Sequence, residues 1–151
     1  MRALFIGLGS IGQRHLRNLQ FLYPDVECAA VRSGQQKNFI LDENNNPRFD
    51  ISIAAQYKIK EYSNLRDGLR VFLPDLVFIT NPSSLHFAAA KEALEYGAYI
   101  FIEKPFVTSL IEAEELIKLE SQLTRKRIMV GFQFRVHPAI EWAASIINKG
   151  S

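Results

Sequence analysis

Three glycines near the amino terminus have the spacing of a phosphate-binding loop. Gly7, Gly9 and Gly12 form the pattern G-x-G-x-x-G, directly after the apolar residues 3–6 and at the start of a segment with helical periodicity. In such a loop the first glycine permits a tight turn, the second leaves room for a pyrophosphate, and the third brings helix and sheet together. The pattern predicts dinucleotide binding, with a tight turn that holds no ligand as the alternative. The predicted contacts come from Gly7, Leu8, Gly9, Ser10, Ile11 and Gly12.

The residues after the second apolar stretch, 26–31, bear on which dinucleotide is bound. NAD-selective loops carry Asp or Glu about 20 residues after the glycines, where the carboxylate binds the ribose hydroxyls. This sequence has Arg32 and Ser33 there. A guanidinium can hold a 2′-phosphate bidentately, and a serine hydroxyl can add a hydrogen bond. The preferred cofactor is therefore predicted to be NADP, with NAD possible, and the alternative for Arg32 is a solvent-facing charge.

A second group of reactive residues follows the apolar residues 99–102. Glu103 and Lys104 stand at the end of this stretch, and Pro105 halts it. Where parallel strands form an open sheet, ligands bind beyond the carboxyl ends of the strands. The ammonium of Lys104 could there reach a nicotinamide ribose or a substrate hydroxyl. The alternative is a solvated strand terminus without a ligand.

These residues need a sheet that brings strand ends together. Short apolar stretches alternate with amphipathic segments of about a dozen residues, which is typical of an α/β fold with a doubly wound parallel sheet. A helix is predicted over 83–96 and ends at Gly97, and Ser109 with Glu112 fits the capping box of another. A further strand is predicted over 128–134. Between the second and third strands, residues 37–62 fit less well. We predict an inserted hairpin there, with a half-exposed strand over 49–53 and the next sheet strand over 57–62.

Composition limits the class of protein. The 151 residues carry 18 basic and 16 acidic side chains, a net charge of +2, which argues against a nucleic-acid partner. A lone cysteine, Cys28, excludes an internal disulfide and predicts a small buried side chain in a cytoplasmic protein. No stretch approaches the roughly 18 apolar residues of a membrane span, and no cluster has metal-ligand spacing. The apolar start, MRALFIGLGSIG, is interpreted as structure rather than as a signal peptide.

The sequence resembles the glucose-fructose oxidoreductase and inositol dehydrogenase family of NAD(P)-dependent sugar oxidoreductases. The resemblance spans nearly the whole chain and rests on the glycine loop, TNPSSLH at 80–86, EKP at 103–105 and VGFQFRVHPAI at 130–140. It implies a Rossmann fold, a sugar-type substrate, and a cofactor site that includes Glu103. By the same resemblance, Thr80, Asn81 and His86 line the nicotinamide pocket, Lys104 is the catalytic residue in contact with substrate and cofactor, and Arg135 lies at the rim of the substrate cleft. The alternative for His86 is a side chain satisfied by neighbouring backbone.

The resemblance also implies a division of the chain. Residues 1–135 would form the dinucleotide-binding domain, and residues 136–151 a helix that connects to a second α/β domain, which this sequence lacks. That domain carries further catalytic groups in the family, so the chain alone is expected to be inactive. A surface left uncovered near Trp142 would favour a dimer or another homo-oligomer. Two alternatives stay open: a non-catalytic, redox-sensing module that binds a dinucleotide, and a fold that has lost its cofactor.

Overall fold

The parallel sheet predicted from the sequence is confirmed. The computed structural model describes residues 1–32, 39–42 and 46–148. Its main sheet has six parallel strands in the order β5-β2-β1-β6-β7-β8. These strands are β1 (Arg2–Ile6), β2 (Glu27–Val31), β5 (Lys60–Tyr62), β6 (Leu76–Ile79), β7 (Tyr99–Ile102) and β8 (Ile128–Val130). The strand order reverses between β1 and β6, and such a switch point opens a crevice at the carboxyl ends of the two strands.

Helices cover both faces of the sheet. The α-helices are α1 (Ser10–Leu22), α2 (Ile53–Tyr57), α3 (Leu65–Asp67), α4 (His86–Glu95), α5 (Leu110–Ser121) and α6 (Pro138–Asn148). One π-helical turn, Gly68–Phe72, continues α3, and 3₁₀ turns cover Ser83–Leu85 and Gln133–Val136. The predicted capping box of α5 is present in a shifted form. Ser109 Oγ accepts the Glu112 N–H, whereas the Glu112 carboxylate accepts the N–H of Thr108 rather than of Ser109.

The core consists of two apolar layers, one on each face of the sheet. Alternate residues of β1 serve opposite layers: Leu4 packs with Leu69 and Leu116, while Phe5 lies in the layer of α1. There Phe5 stacks on Phe78 with ring centroids 4.6 Å apart. Burial on both faces explains why residues 3–6 of β1 and 76–79 of β6 are continuously apolar. Cys28 belongs to the α1 layer, and burial raises the pKa of its thiol to about 11.

The segment between β2 and β5 confirms one prediction and corrects another. A hairpin is inserted there, with β3 (Ile40–Leu41) antiparallel to β4 (Pro47–Arg48). The strand predicted over 49–53 is wrong, because α2 begins at Ile53 after a cap in which Ser52 Oγ accepts the Ala55 N–H. Ile53 and Tyr57, four residues apart, are both buried on the core side of this helix. Consequently β5 is limited to Lys60–Tyr62.

The last strand is also shorter than the apolar stretch that predicted it. The sequence favours a strand over 128–134, but β8 ends at Val130. Gly131 still donates its N–H to Ile102 O at 2.8 Å, after which the chain turns into Gln133–Val136. An added Cβ at Gly131 would lie 2.8 Å from the Phe101 ring, so this turn passes close to β7. The turn places Arg135 at the sheet edge that carries the candidate site.

Candidate functional site

The glycine loop lies at the switch point, where the ends of β1 and β6 meet. Gly7 has φ +88°, and a Cβ on it would lie 2.9 Å from the backbone of Asn81. Both the left-handed conformation and the close approach therefore require glycine. The Thr80 N–H donates to Ile6 O at 3.0 Å, which extends the pairing of the two strands up to this loop.

Helix α1 starts close beneath the loop. A Cβ on Gly12 would lie only 2.4 Å from Gly7 O and 2.8 Å from Thr80 Oγ1. Thr80, which is buried, donates its hydroxyl hydrogen to Gly7 O at 2.6 Å. Thr80 thus supports the glycine loop from the sheet side. Buried Gln13 secures the other side, donating to Leu8 O at 3.1 Å and accepting the Leu41 N–H at 2.9 Å.

The geometry around Gly9 fits a pyrophosphate. Gly9 is the N-cap of α1, no side chain caps the helix, and its first turn contains no acidic residue. A Cβ added at Gly9 would meet no atom of the described residues within 4 Å, so the approach to the backbone is open. The Leu8 side chain is in the core and leaves only its backbone to a ligand, whereas Ser10 and Ile11 are exposed. The first N–H groups of α1 remain available to an anion.

A cleft of about 750 Å³ opens beside the loop, between α1 and the carboxyl ends of β6, β7 and β8. It brings together most of the site residues predicted after the glycines: Thr80, Asn81, His86, Glu103, Lys104 and Arg135. Its size is that of a site for a small molecule or cofactor. Asn81 Oδ1 is buried at this cleft and has no hydrogen-bond partner among the described residues. A buried acceptor without a donor is costly, so a ligand donor at this point would be favoured.

His86 closes the inner wall of the cleft. The side chain is 1% exposed, with Nε2 2.9 Å from Asn81 O and Nδ1 2.9 Å from Pro105 O. Both ring nitrogens therefore face backbone carbonyl oxygens, as in the alternative considered for this residue. The ring links the end of β6 to the segment after Lys104, where the Lys104–Pro105 peptide bond is cis. His86 would therefore affect ligand binding indirectly, by holding the two loops that contain Asn81 and Pro105 in place.

Lys104 is exposed in the cleft, and its neighbour Glu103 is mostly buried. Glu103 Oε1 lies 2.7 Å from His15 Nε2, and Glu103 Oε2 accepts the Lys104 N–H at 3.1 Å. Sequence reasoning did not include His15. Helical spacing could have identified it, because Ile11, His15 and Asn18 occupy positions i, i+4 and i+7 and lie on the face of α1 that lines the cleft.

The cleft is rich in cations. Arg14 on α1, Lys104 after β7 and Arg135 after β8 all line it and are exposed. Within residues 1–32, 39–42 and 46–148, none of these three side chains has a charged or hydrogen-bonding partner. Among the described residues, Glu103 is the one acidic side chain that lines the cleft, and it is held by His15. The cleft therefore presents an excess of positive charge.

The adenosine end of a dinucleotide would meet Arg32. Its side chain is only 9% exposed, and Nη1 lies 2.7 Å from Glu61 Oε1 on the neighbouring strand β5. A 2′-phosphate at this position would share or replace the contact with Glu61. Ser33, predicted to assist Arg32, lies outside the described residues.

A doubly wound parallel sheet with this glycine loop at its switch point defines a dinucleotide-binding Rossmann domain. The family model GFO_IDH_MocA, described as "Oxidoreductase family, NAD-binding Rossmann fold", matches residues 1–132. The chain belongs to this family, which confirms the resemblance inferred from the sequence.

Its relatives include dehydrogenases of a nucleotide sugar and of inositol. The chain is 32% identical to UDP-N-acetylglucosamine 3-dehydrogenase of Acidithiobacillus ferrooxidans over 94% of this chain and 40% of that protein. It is 26% identical to inositol 2-dehydrogenase of Salmonella typhimurium over 99% of this chain and 42% of that protein. The structure of myo-inositol dehydrogenase from Lactobacillus casei, in complex with NAD(H) and myo-inositol, matches with a TM-score of 0.81 at 23% identity. That match covers 99% of this chain and 42% of that one. The chain thus spans about two fifths of these relatives.

Two further findings concern the part of the chain that the structure describes. No helix in it has the length and apolar character to span a membrane. It contains no group of three or more His, Cys, Asp or Glu side chains arranged to hold a metal ion.

Proposed function

We propose that this chain is the cofactor-binding part of an NADP-dependent oxidoreductase acting on a sugar, nucleotide sugar or cyclitol. The observation that carries the proposal is the meeting of two features at one sheet edge: an open phosphate cradle at Gly9 and a cleft that contains Lys104. A bound nicotinamide would donate or accept the hydride. The chain's own residues would bind it, orient it and place a cation beside the reacting hydroxyl or carbonyl.

Each group has a proposed task. The first N–H groups of α1 bind the pyrophosphate, with Gly9 leaving room for it. Asn81 Oδ1 accepts a hydrogen bond from the nicotinamide half, which would satisfy an otherwise unpartnered buried atom. The Lys104 ammonium contacts the cofactor and the substrate oxygen, to which it donates a hydrogen bond while charge develops there during hydride transfer. Thr80 and His86 support these groups through backbone carbonyls.

The experiment is a titration of the 151-residue chain with NADPH, followed by the fluorescence of the reduced cofactor. We expect saturable binding, and at least tenfold weaker binding by Lys104→Met, since a hydrogen bond to a charged group contributes about 1.5 to 3 kcal/mol. Lys126→Met serves as the matched control, because Lys126 is exposed and pairs with Glu120 away from the cleft. Binding that is equal in all three proteins would refute the role of Lys104.

The preference for NADP rests on Arg32, the residue in place of the acid of NAD-selective loops. The buried guanidinium is preoriented by Glu61 and would hold a 2′-phosphate bidentately. We expect NADPH to bind more tightly than NADH, and Arg32→Gln to reverse or abolish the difference. Tighter binding of NADH by the unchanged chain would contradict the preference.

The charge of the cleft favours an anionic substrate among the three proposed kinds. Arg14, Lys104 and Arg135 would attract the phosphates of a nucleotide sugar, whereas a neutral cyclitol would gain nothing from them. In the presence of NADPH, we expect UDP-N-acetylglucosamine to shift the NMR signals of the cleft residues at lower concentration than myo-inositol does. The reverse order would favour a cyclitol.

The remaining proposals concern the whole protein. Residues 136–151 are proposed to connect the cofactor domain, residues 1–135, to a substrate domain, so that the chain alone binds the cofactor without turnover. Helix α6 carries exposed Trp142 and Ile147, and this surface would support a homo-oligomer in the cytoplasm. Sedimentation of the purified chain tests the association, and absorbance at the reduced-cofactor band tests turnover with added sugars.

A further inference from the structure

A histidine on α1 is tied to the strand end that carries Lys104. His15 Nε2 lies 2.7 Å from Glu103 Oε1, and the two side chains are 23% and 14% exposed. The imidazole also packs edge-on against Phe101, with ring centroids 4.9 Å apart, and lies 5.9 Å from the Phe78 ring. The ring is thus held by two strands of the sheet as well as by the carboxylate. An exposed ion pair lacks such packing and usually contributes little.

The second carboxylate oxygen of Glu103 contacts the backbone of Lys104. Oε2 accepts the backbone N–H of Lys104 at 3.1 Å, while Oε1 faces His15. A carboxylate oxygen accepts hydrogen bonds, so we assign His15 Nε2 as the donor of the 2.7 Å contact. One carboxylate therefore joins the second turn of α1 to the backbone of Lys104.

We propose that His15 and Glu103 are positioning residues that set the location of Lys104 relative to the cofactor. The start of α1 would hold the pyrophosphate, and His15 follows one turn later on the same rigid helix. Through Glu103, the position of that helix fixes the backbone from which the Lys104 side chain extends. The inference rests on the proposed function, because it requires Lys104 to meet the nicotinamide half of the bound dinucleotide.

If the proposal is right, variants of His15 should affect the binding of the nicotinamide half of the cofactor and not of the adenosine half. ADP supplies the adenosine and the pyrophosphate but not the nicotinamide, so its binding should be independent of Lys104. In the 151-residue chain, we expect His15→Ala to weaken NADPH binding about tenfold, as for a lost hydrogen bond to a charged group, and to leave ADP binding within about twofold. His137→Ala is the matched control, since His137 is exposed and, within the described residues, its ring accepts the Ala139 N–H and lies beside the Phe134 ring.

Conservative variants distinguish a change in NADPH affinity from a loss of folding. Gln at position 15 places an N–H donor at the same number of bonds from the backbone as His Nε2, so His15→Gln should retain most of the NADPH affinity. Glu103→Gln has a single acceptor oxygen for two donors and should give an intermediate loss. Thermal unfolding of each variant is measured alongside.

The decisive measurement combines His15→Ala with Lys104→Met. If His15 acts through Lys104, the double variant binds NADPH no more weakly than Lys104→Met alone. The inference would be overturned if the losses of NADPH affinity in the two single variants were fully additive in the double variant. It would also be overturned if His15→Ala weakened ADP and NADPH binding equally, or if it left NADPH binding unchanged. If the unchanged chain bound neither NADPH nor ADP, the proposed function would fail first, so the two failures are distinguishable.

Discussion

Two glycines of the same loop should respond in opposite ways to an added methyl group. Gly9 has φ −70° and ψ −167°, a conformation open to alanine, and an added Cβ meets no described atom within 4 Å. Reduced freedom of the unfolded chain would stabilise Gly9→Ala by about 0.4 to 1 kcal/mol, and alanine's poorer N-cap preference costs about 0.5 to 1 kcal/mol. The free energy of unfolding should therefore change by less than about 1 kcal/mol.

Gly12→Ala should be destabilising instead. Its Cβ would lie 2.4 Å from Gly7 O, a backbone atom, and 2.8 Å from the Thr80 hydroxyl that donates to the same oxygen. Overpacking costs about 1 to 3 kcal/mol and a disturbed hydrogen bond about 1 kcal/mol, against a gain of about 1 kcal/mol in helix propensity. The expected net loss is about 1 to 3 kcal/mol.

The assay pairs urea unfolding, followed by far-ultraviolet circular dichroism, with NADPH titration of the same samples. Gly9→Ala should unfold like the unchanged chain yet bind NADPH at least tenfold more weakly, because its methyl group occupies the phosphate cradle. Gly12→Ala should unfold at lower urea concentration. Unchanged NADPH affinity in a folded Gly9→Ala variant would refute the placement of the pyrophosphate, and unchanged stability of Gly12→Ala would refute the packing argument.

Three further predictions concern Gln13, Cys28 and Glu120. Gln13→Ala should lower the free energy of unfolding by about 2 to 3 kcal/mol in urea titrations, because Leu8 O and the Leu41 N–H lose their partner; a change below about 0.5 kcal/mol would contradict this. Cys28, whose pKa burial raises to about 11, should react with a thiol reagent at pH 8 only at the rate of unfolding; rapid labelling of the native chain would show that the thiol is accessible. Burial tends to raise the pKa of Glu120, but the Ile128 and Arg127 N–H groups and Lys126 outweigh it, so the pKa is lowered from 4.5. The stability difference between the unchanged chain and Glu120→Gln should therefore be present at pH 7 and shrink as pH falls below 4.5, whereas a difference that persists in acid would contradict the coupling.

The sequence predicted those parts of the fold that two independent patterns indicate. Strands buried on both faces are continuously apolar, and the glycine spacing coincides with a strand-to-helix boundary, so the sheet and the loop followed from two independent patterns. Residues 49–53 show the limit of such reasoning. Their alternation suggests a strand, but a serine cap and the burial of Ile53 with Tyr57 favour a short helix. In this segment, where the hydrophobic periodicity is ambiguous, the local cap favours a helix over a strand.

Topology alone brings to one edge the candidate-site residues that follow strand ends, such as Lys104, because parallel strands end at the same edge of the sheet. The family resemblance added the roles of Asn81 and His86. His15 and Glu61 were not identified, since each acts through a partner distant in the sequence: Glu103 for the first and Arg32 for the second. Helical spacing places His15 on the cleft side of α1, but pairing across 88 residues has no local signal.

One bound dinucleotide should span the glycine loop and the cleft of Lys104. A crystal structure of the chain with NADPH would show whether it does. Pyrophosphate oxygens should lie about 3 Å from the first backbone N–H groups of α1, with the nicotinamide beside the Lys104 ammonium. A dinucleotide bound away from this edge of the sheet, or a nicotinamide out of reach of Lys104, would contradict this prediction.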